Sequence, residues 1–239
     1  MDYFPNNTLS HYITRLPHTL DLDGSWEIGF AEIQYPHSWY NVKHQEAWVQ
    51  VDFYKDTQLQ NHHFFLPAGY YTSAKRIIKA IEMKKHRTEY KNKFDIRIND
   101  VNNKVSLAVK KDFQVTISPL LQTMLGFKQA IFPQGDYVGD WVADVTRGLT
   151  SLYVYCPLVD PRVGGDAQVP LLRIVPVEGK GGQLVTRAFD PIQYFPLVQR
   201  RFQTVEINIR DDAGDIVPFE RGRVVVTLHC RKRKESYLE

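Results

Sequence analysis

The sequence contains only two cysteines, Cys156 and Cys230, among its 239 residues. Two cysteines cannot form the disulfide framework of a small secreted domain. We therefore expect that the protein resides in a reducing compartment or that its fold does not depend on redox conditions. The sequence also lacks an apolar run long enough to span a bilayer, and its first residues show no signal-peptide pattern. We therefore expect no membrane span and no secretory leader.

Motifs that carry chemistry are also missing. Neither cysteine has a cysteine partner at zinc-ligand spacing, and no Gly-Lys-Ser/Thr triplet or Gly-x-Ser-x-Gly motif occurs. His62 and His63 are adjacent, so on a strand their side chains point to opposite faces and cannot chelate one metal ion unaided. We therefore expect no catalytic residues, no metal and no cofactor, and a protein that is not an enzyme.

What the sequence does contain is a strong β-strand pattern near its end. Between Phe202 and Cys230, apolar and polar residues alternate in two long runs, which is typical of strands with one face exposed to water. The segment between the runs, 211–215, is rich in Asp and Gly, the residues that favour turns. The pattern predicts an antiparallel hairpin.

The rest of the chain predicts one β domain that carries an insertion. The first forty residues form extended segments, among them Trp26–Pro36, in which Trp26, Ile28, Phe30 and Glu32 share one face. From Tyr70 the pattern becomes helical, with an apolar stripe of Ala74, Ile77, Ile78 and Ile81, and short strands and a second helix at 118–124 follow. We therefore assign 1–69 and 128–239 to the β domain and 70–127 to an α+β insertion.

Positive charge is concentrated in two places. The segment 75–93 holds eight basic and two acidic residues, so it carries +6 while the whole chain carries +3. Its candidate basic face consists of Lys75, Arg76, Lys79, Lys84 and Lys85. The second cluster follows the last strand as a basic tail and consists of Arg231, Lys232, Arg233 and Lys234. Such runs are usually solvated surfaces, and the alternative function is a nucleic-acid-binding module centred on 75–93.

Three stretches resemble a known family. They are "YFPNNTLSHYITRLPHTLDLDGSWEIGFAEIQYPHSWYNV" at 3–42, "TISPLLQTMLGF" at 116–127, and the closing stretch at 170–231 that begins "PLLRIVPVEGKGGQL". Together they resemble the penton, or minor capsid, proteins of Maverick/Polinton elements and adintoviruses, which are related to virophage penton proteins. The likeness consists of general sequence similarity along these stretches and includes no catalytic motif.

The resemblance implies a single jelly-roll β-barrel that forms a homopentamer at the five-fold vertices of an icosahedral virion. It implies the double jelly-roll major capsid protein of the same element as the partner, with synthesis in the host cytoplasm and assembly there or in the nucleus. The basic tail would then face the packaged DNA. Arg-Gly-Asp is absent, so integrin binding is not expected. A third alternative, a carbohydrate-binding β-sandwich, is suggested by the aromatic residues.

Overall fold

The structure is a computed structural model that describes residues 4–55, 58–86, 88–146, 149–164 and 167–233. The first nine strands are β1 (His11–Asp21), β2 (Trp26–Pro36), β3 (Trp48–Lys55), β4 (Gln58–Phe65), β5 (Phe94–Ile98), β6 (Val105–Val109), β7 (Phe113–Ile117), β8 (Ile131–Phe132) and β9 (Gly135–Val138). The later strands are β10 (Ser151–Tyr155), β11 (Arg162–Gly164), β12 (Ala167–Val169), β13 (Leu171–Pro176), β14 (Leu184–Ala188), β15 (Tyr194–Pro196), β16 (Arg201–Arg210) and β17 (Val225–Lys232). The helices are α1 (Ala74–Lys85) and α2 (Pro119–Leu125).

The chain divides into two compact units, which we call the barrel unit (Met1–Trp39 and Gly148–Glu239) and the insertion unit (Tyr40–Arg147). The insertion is therefore longer at both ends than the 70–127 expected from the sequence. The reason is strand pairing: β3 pairs along β7, and β8 and β9 pair with β7 and β6. β3, which the sequence assigns to the β domain, thus belongs to a sheet of the insertion unit.

The barrel unit consists of two antiparallel sheets and a small β11–β12 hairpin. One sheet has the order β1-β16-β10-β13. In the other, β14 and β15 pair with successive parts of β2, and β17 also pairs with β2. The chain passes from one sheet to the other at most of its connections, as in Greek-key sandwiches and jelly rolls. This confirms the predicted fold class, mainly β with a jelly-roll body and an α+β insertion.

The buried side chains of the barrel unit's strands are almost all apolar. They include Ile28, Phe30, Ile33, Tyr35, Leu152, Val154, Leu172, Val175, Ile207 and Ile209. In β2 the buried residues change parity, from Ile28 and Phe30 to Ile33 and Tyr35, because a bulge opposite Thr227 and Leu228 shifts the register. Glu32 therefore does not continue the buried row that the sequence predicts.

The predicted hairpin between β16 and β17 is wrong, although the alternation within each strand is right. β16 pairs with β1 and β10 in one sheet, whereas β17 pairs with β2 in the other. The turn at 211–215 forms as expected, because the Asp211 carboxylate accepts hydrogen bonds from the backbone N–H groups of Ala213 and Asp215. The chain then crosses between sheets instead of returning alongside β16.

The insertion unit contains two sheets, β4-β3-β7-β8 and β5-β6-β9, and both helices. The α1 stripe is confirmed, since Ala74, Ile77, Ile78 and Ile81 are buried in one continuous core with the inward residues of the strands. α2 begins after Ser118, whose hydroxyl accepts a hydrogen bond from the Leu121 N–H, and ends at Gly126 in the left-handed region. Among the described residues, neither helix has the length and apolar character needed to cross a bilayer.

Candidate functional site

The structure breaks up the basic face predicted on α1. Arg76, Lys79 and Lys84 are exposed, and no ion pair links them to an acidic group in the part of the chain that the structure describes. Lys75 is exposed too, but its ammonium lies 2.7 Å from the Asp100 carboxylate. Only three of the five candidates therefore present an uncompensated charge.

Lys85 is not part of the basic face, and that prediction is wrong. Its side chain is only 5% exposed, and its Nζ lies 2.6 Å from Glu82 Oε1 and donates a 2.9 Å hydrogen bond to the Phe94 carbonyl. The ammonium also lies 4.7 Å from the centre of the Phe94 ring. The burial of Lys85 could have been predicted from helical spacing. Lys85 follows Ile78 by seven residues and Ile81 by four, so it lies on the apolar side of α1.

Beside the exposed basic residues lies a shallow groove of about 250 Å³, lined by Tyr70, Tyr71, Arg76, Lys79 and Met83 among others. Burial raises the pKa of both tyrosines. The Tyr71 hydroxyl donates to the Pro67 carbonyl at 2.8 Å, so this ring is fixed along the groove wall. The groove thus combines the Arg76 guanidinium and the Lys79 ammonium with the rings of Tyr70 and Tyr71.

The basic tail is partly built into the barrel unit. Arg231 and Lys232 belong to β17, and Arg231 Nε lies 3.0 Å from Glu27 Oε2, a carboxylate whose side chain is only 17% exposed. The Arg231 guanidinium also lies 3.6 Å from the centre of the Tyr194 ring. Arg233 Nε approaches the same carboxylate at 4.0 Å. Lys234 lies outside the described residues.

The two neighbouring histidines diverge as the sequence predicts. The His62 ring packs near Phe53 and Tyr90, with centroid distances of 5.4 and 5.5 Å, whereas the His63 ring packs near Trp48 and Phe65. Within the described ranges, no three His, Cys, Asp or Glu side chains come together in a way that could hold a metal ion. Both cysteines are free thiols, and burial raises the pKa of the Cys156 thiol to about 11. A thiol with so high a pKa is a poor nucleophile at neutral pH.

Exposed apolar side chains are found on both units. On the barrel unit the large ones are Leu20, Ile174, Leu184, Val198, Ile216 and Val225. On the insertion unit, the outward side of the β4-β3-β7-β8 sheet carries exposed Tyr54, Leu59, Phe65 and Ile131. Sequence patterns did not reveal this second surface, because the residues come from different strands and share a face only after the strands pair.

No protein-family model matches the sequence, and no curated protein matches it. Among solved structures, the chain is similar to the crystal structure of the selenomethionine-labelled mavirus penton protein. The two are 10% identical, the TM-score is 0.49, and the match covers 92% of this chain and 89% of that chain.

Proposed function

We propose that this protein is a structural component of a viral capsid, a penton that forms a homopentamer at the five-fold vertices. The observation that supports the proposal is the architecture of the barrel unit. Its sheets are joined by jelly-roll crossings, and the side chains buried in their strands are almost all apolar. Such a body is suited to packing against neighbours, and the sequence resemblance to Maverick/Polinton and adintovirus pentons points to the same role.

A five-fold ring requires a heterologous interface, in which two different patches of each subunit meet and the rotation closes after five copies. A stable interface of standard size buries about 800 Å² on each partner and has an apolar centre. The exposed apolar residues of the barrel unit supply side chains for such a centre; the most exposed are Leu184 at 61% and Val198 at 51%. We propose the double jelly-roll major capsid protein as the second partner, and the virion as the location.

Native mass spectrometry of the 239-residue protein tests the proposal directly. Five copies of the 27.8 kDa chain have a mass of about 139 kDa, and we expect this species to dominate at micromolar concentration. Leu184→Glu should shift the population toward monomer if β14 contributes to the interface. Val101→Glu is the matched control, because Val101 is 94% exposed in a turn of the insertion unit and its replacement should leave the assembly intact.

Co-expression with the major capsid protein provides the second arm of the test. A monomer that neither forms pentamers nor associates with the co-expressed shell protein would contradict the proposal. A discrete oligomer of another size would keep the structural role but exclude the five-fold position.

The alternative function, nucleic-acid binding by the insertion unit, is favoured by one observation. Arg76 and Lys79 line a groove with two tyrosines, an arrangement that can hold a phosphate beside a stacked base. The three residues of α1 whose charge is uncompensated among the described residues, Arg76, Lys79 and Lys84, would neutralise about three phosphates and contribute about −2 to the salt slope for single-stranded DNA. Binding that is lost in Arg76→Gln but kept in Lys75→Gln would support it. Equal affinities of all three proteins would exclude it.

A further inference from the structure

Along one face of the β4-β3-β7-β8 sheet, the described side chains are exposed or half-exposed. Val49, Val51, Phe53, Val115 and Phe132 are buried in the core of the insertion unit. Since successive side chains in a strand alternate between faces, the residues between them point to the other side. We call that side the open sheet face; it consists of Trp48, Gln50, Asp52 and Tyr54 of β3, Leu59, Asn61, His63 and Phe65 of β4, Gln114 and Thr116 of β7, and Ile131 of β8.

Polar side chains occupy the middle of the open sheet face. Gln50 Nε2 donates to both carboxylate oxygens of Asp52, at 3.1 and 3.0 Å, and Gln114 Nε2 approaches Asp52 Oδ2 at 3.5 Å. Asn61 lies directly across from Asp52 in the strand register. These bonds orient the side chains and use amide donors, so the amide oxygens and the remaining carboxylate lone pairs can accept hydrogen bonds from a ligand.

Aromatic side chains lie at both ends of this polar row. At one end the His63 ring packs against Trp48 and Phe65, with centroid distances of 5.0 and 4.5 Å. At the other end Tyr54, which is 69% exposed, lies across from Leu59, which is 58% exposed. Trp48 and Tyr54 are six positions apart in β3, a distance of about 20 Å along the strand. The surface is therefore long, with rings at its ends and acceptors between them.

The charge of the open sheet face decides which ligand it suits. Asp52 is its only acidic residue, and none of its positions is Lys or Arg. A lone carboxylate repels phosphate, sulfate and carboxylate groups, so nucleic acid and acidic peptides are disfavoured. A neutral ligand that has apolar C–H faces and many hydroxyl donors complements both the rings and the acceptors.

We propose that the open sheet face binds a neutral oligosaccharide. The sugar hydroxyls donate to Asp52 and to the amide oxygens of Gln50 and Gln114, while the C–H faces of the sugar rings pack on the aromatic side chains at either end. The inference does not require a pentamer, so its failure would leave the proposed function untouched. The competing occupant, a second copy of this chain, is distinguished by the test below.

The test is an array of neutral oligosaccharides of hexose and N-acetylhexosamine units, with sialylated and sulfated oligosaccharides on the same slide, probed with the full-length protein. We expect binding to neutral members of the array. Asp52→Ala removes the acceptor for two hydroxyl groups, and Tyr54→Ala removes a stacking surface. Each should weaken binding by about tenfold, since one or two hydrogen bonds or one aromatic contact contribute roughly this much.

Trp141→Ala is the matched control, because Trp141 is an aromatic residue of the insertion unit that is 56% exposed and lies off the open sheet face. It should bind as the unaltered protein does. Hydrogen exchange of the full-length protein gives a second readout, in which the oligosaccharide should protect segments 48–54 and 59–65. Three results would overturn the inference: no neutral oligosaccharide bound, a preference for acidic ones, or unchanged binding in both variants. Loss of self-association in Tyr54→Ala without any sugar binding would assign the face to a second copy.

Discussion

Lys85 offers the sharpest test of how charge is used in the insertion unit. In the β5–β6 ladder, the Lys110 N–H bonds to the Lys93 carbonyl, so the next pair, Phe94 and Val109, is not hydrogen-bonded. The Phe94 carbonyl therefore points toward the edge of β5 away from β6. There the Lys85 ammonium is its donor, at 2.9 Å and away from water. Replacing Lys85 by Met keeps most of the aliphatic stem and removes only the ammonium group.

The expected cost follows from the partners that are lost. A hydrogen bond to a charged group contributes about 1.5–3 kcal/mol, and a buried carbonyl without a donor costs about 1–3 kcal/mol. The gain from no longer desolvating the ammonium offsets part of this loss. Glu82 is 38% exposed and so remains hydrated when its partner is removed. We therefore expect Lys85→Met to lower the free energy of unfolding by about 2 kcal/mol, and Lys85→Ala by about 4 kcal/mol because about three buried methylene groups are lost as well.

Urea denaturation followed by tryptophan and tyrosine fluorescence measures these changes. Lys84→Met is the matched control, since Lys84 is the exposed neighbour on the same helix and its replacement should change stability by less than about 0.5 kcal/mol. If Lys85→Met were as stable as the unaltered protein, the ammonium would not be structural. If Lys84→Met and Lys85→Met were equally destabilised, helix propensity and not burial would explain the effect.

Two further predictions concern buried groups. Burial raises the pKa of Cys156 to about 11 and that of Tyr12 to about 12, whereas the unfolded chain titrates near 9.0 and 10.0. Both groups are neutral when protonated and hold their protons more tightly in the folded state than in the unfolded chain. The free energy of unfolding should therefore fall as the pH rises from about 9 to 12. Urea midpoints that stay constant over that range would contradict this. Gly126 ends α2 with a φ of 79°, and a methyl group there would meet the Trp141 carbonyl. Gly126→Ala should therefore cost at least about 2 kcal/mol, whereas Gly69→Ala, with nothing within 4 Å, should cost far less; similar thermal midpoints for the two variants would refute the backbone argument.

Local features of this fold could be predicted from the sequence because they depend on neighbouring residues. The apolar stripe of α1 needs only a period of 3.6, and the ends of α2 need only Ser118, Pro119 and Gly126 in order. The alternation within β16 needs only a period of two. Each of these patterns is written within about a dozen residues, and each appears in the structure at the predicted positions.

Strand partners could not be predicted in the same way, because pairing joins residues far apart in the chain. β17 has the alternation of a hairpin arm, but its partner β2 lies almost two hundred residues earlier. The bulge opposite Thr227 and Leu228 changes which residues of β2 face inward, so Ile33 is buried and not Glu32. A one-residue shift has this effect because the side-chain period of a strand is two. The insertion begins earlier than predicted for the same reason, because β3 pairs with β7, a strand more than sixty residues later in the chain.

The same long-range contacts decide how the positive charges act. In the sequence, the two basic clusters look like surfaces that attract phosphate. In the folded chain, Lys85 holds a buried carbonyl, Arg231 holds Glu27 and packs on Tyr194, and Lys75 faces Asp100. Charges that are neutralised within the protein release few counterions from DNA, so these three residues should add little to the affinity for nucleic acid or to its dependence on salt. Lys85 and Arg231 thus help to fix a helix and a strand within their own units, a use of charge that depends on partners outside the basic clusters and that the local charge pattern did not reveal.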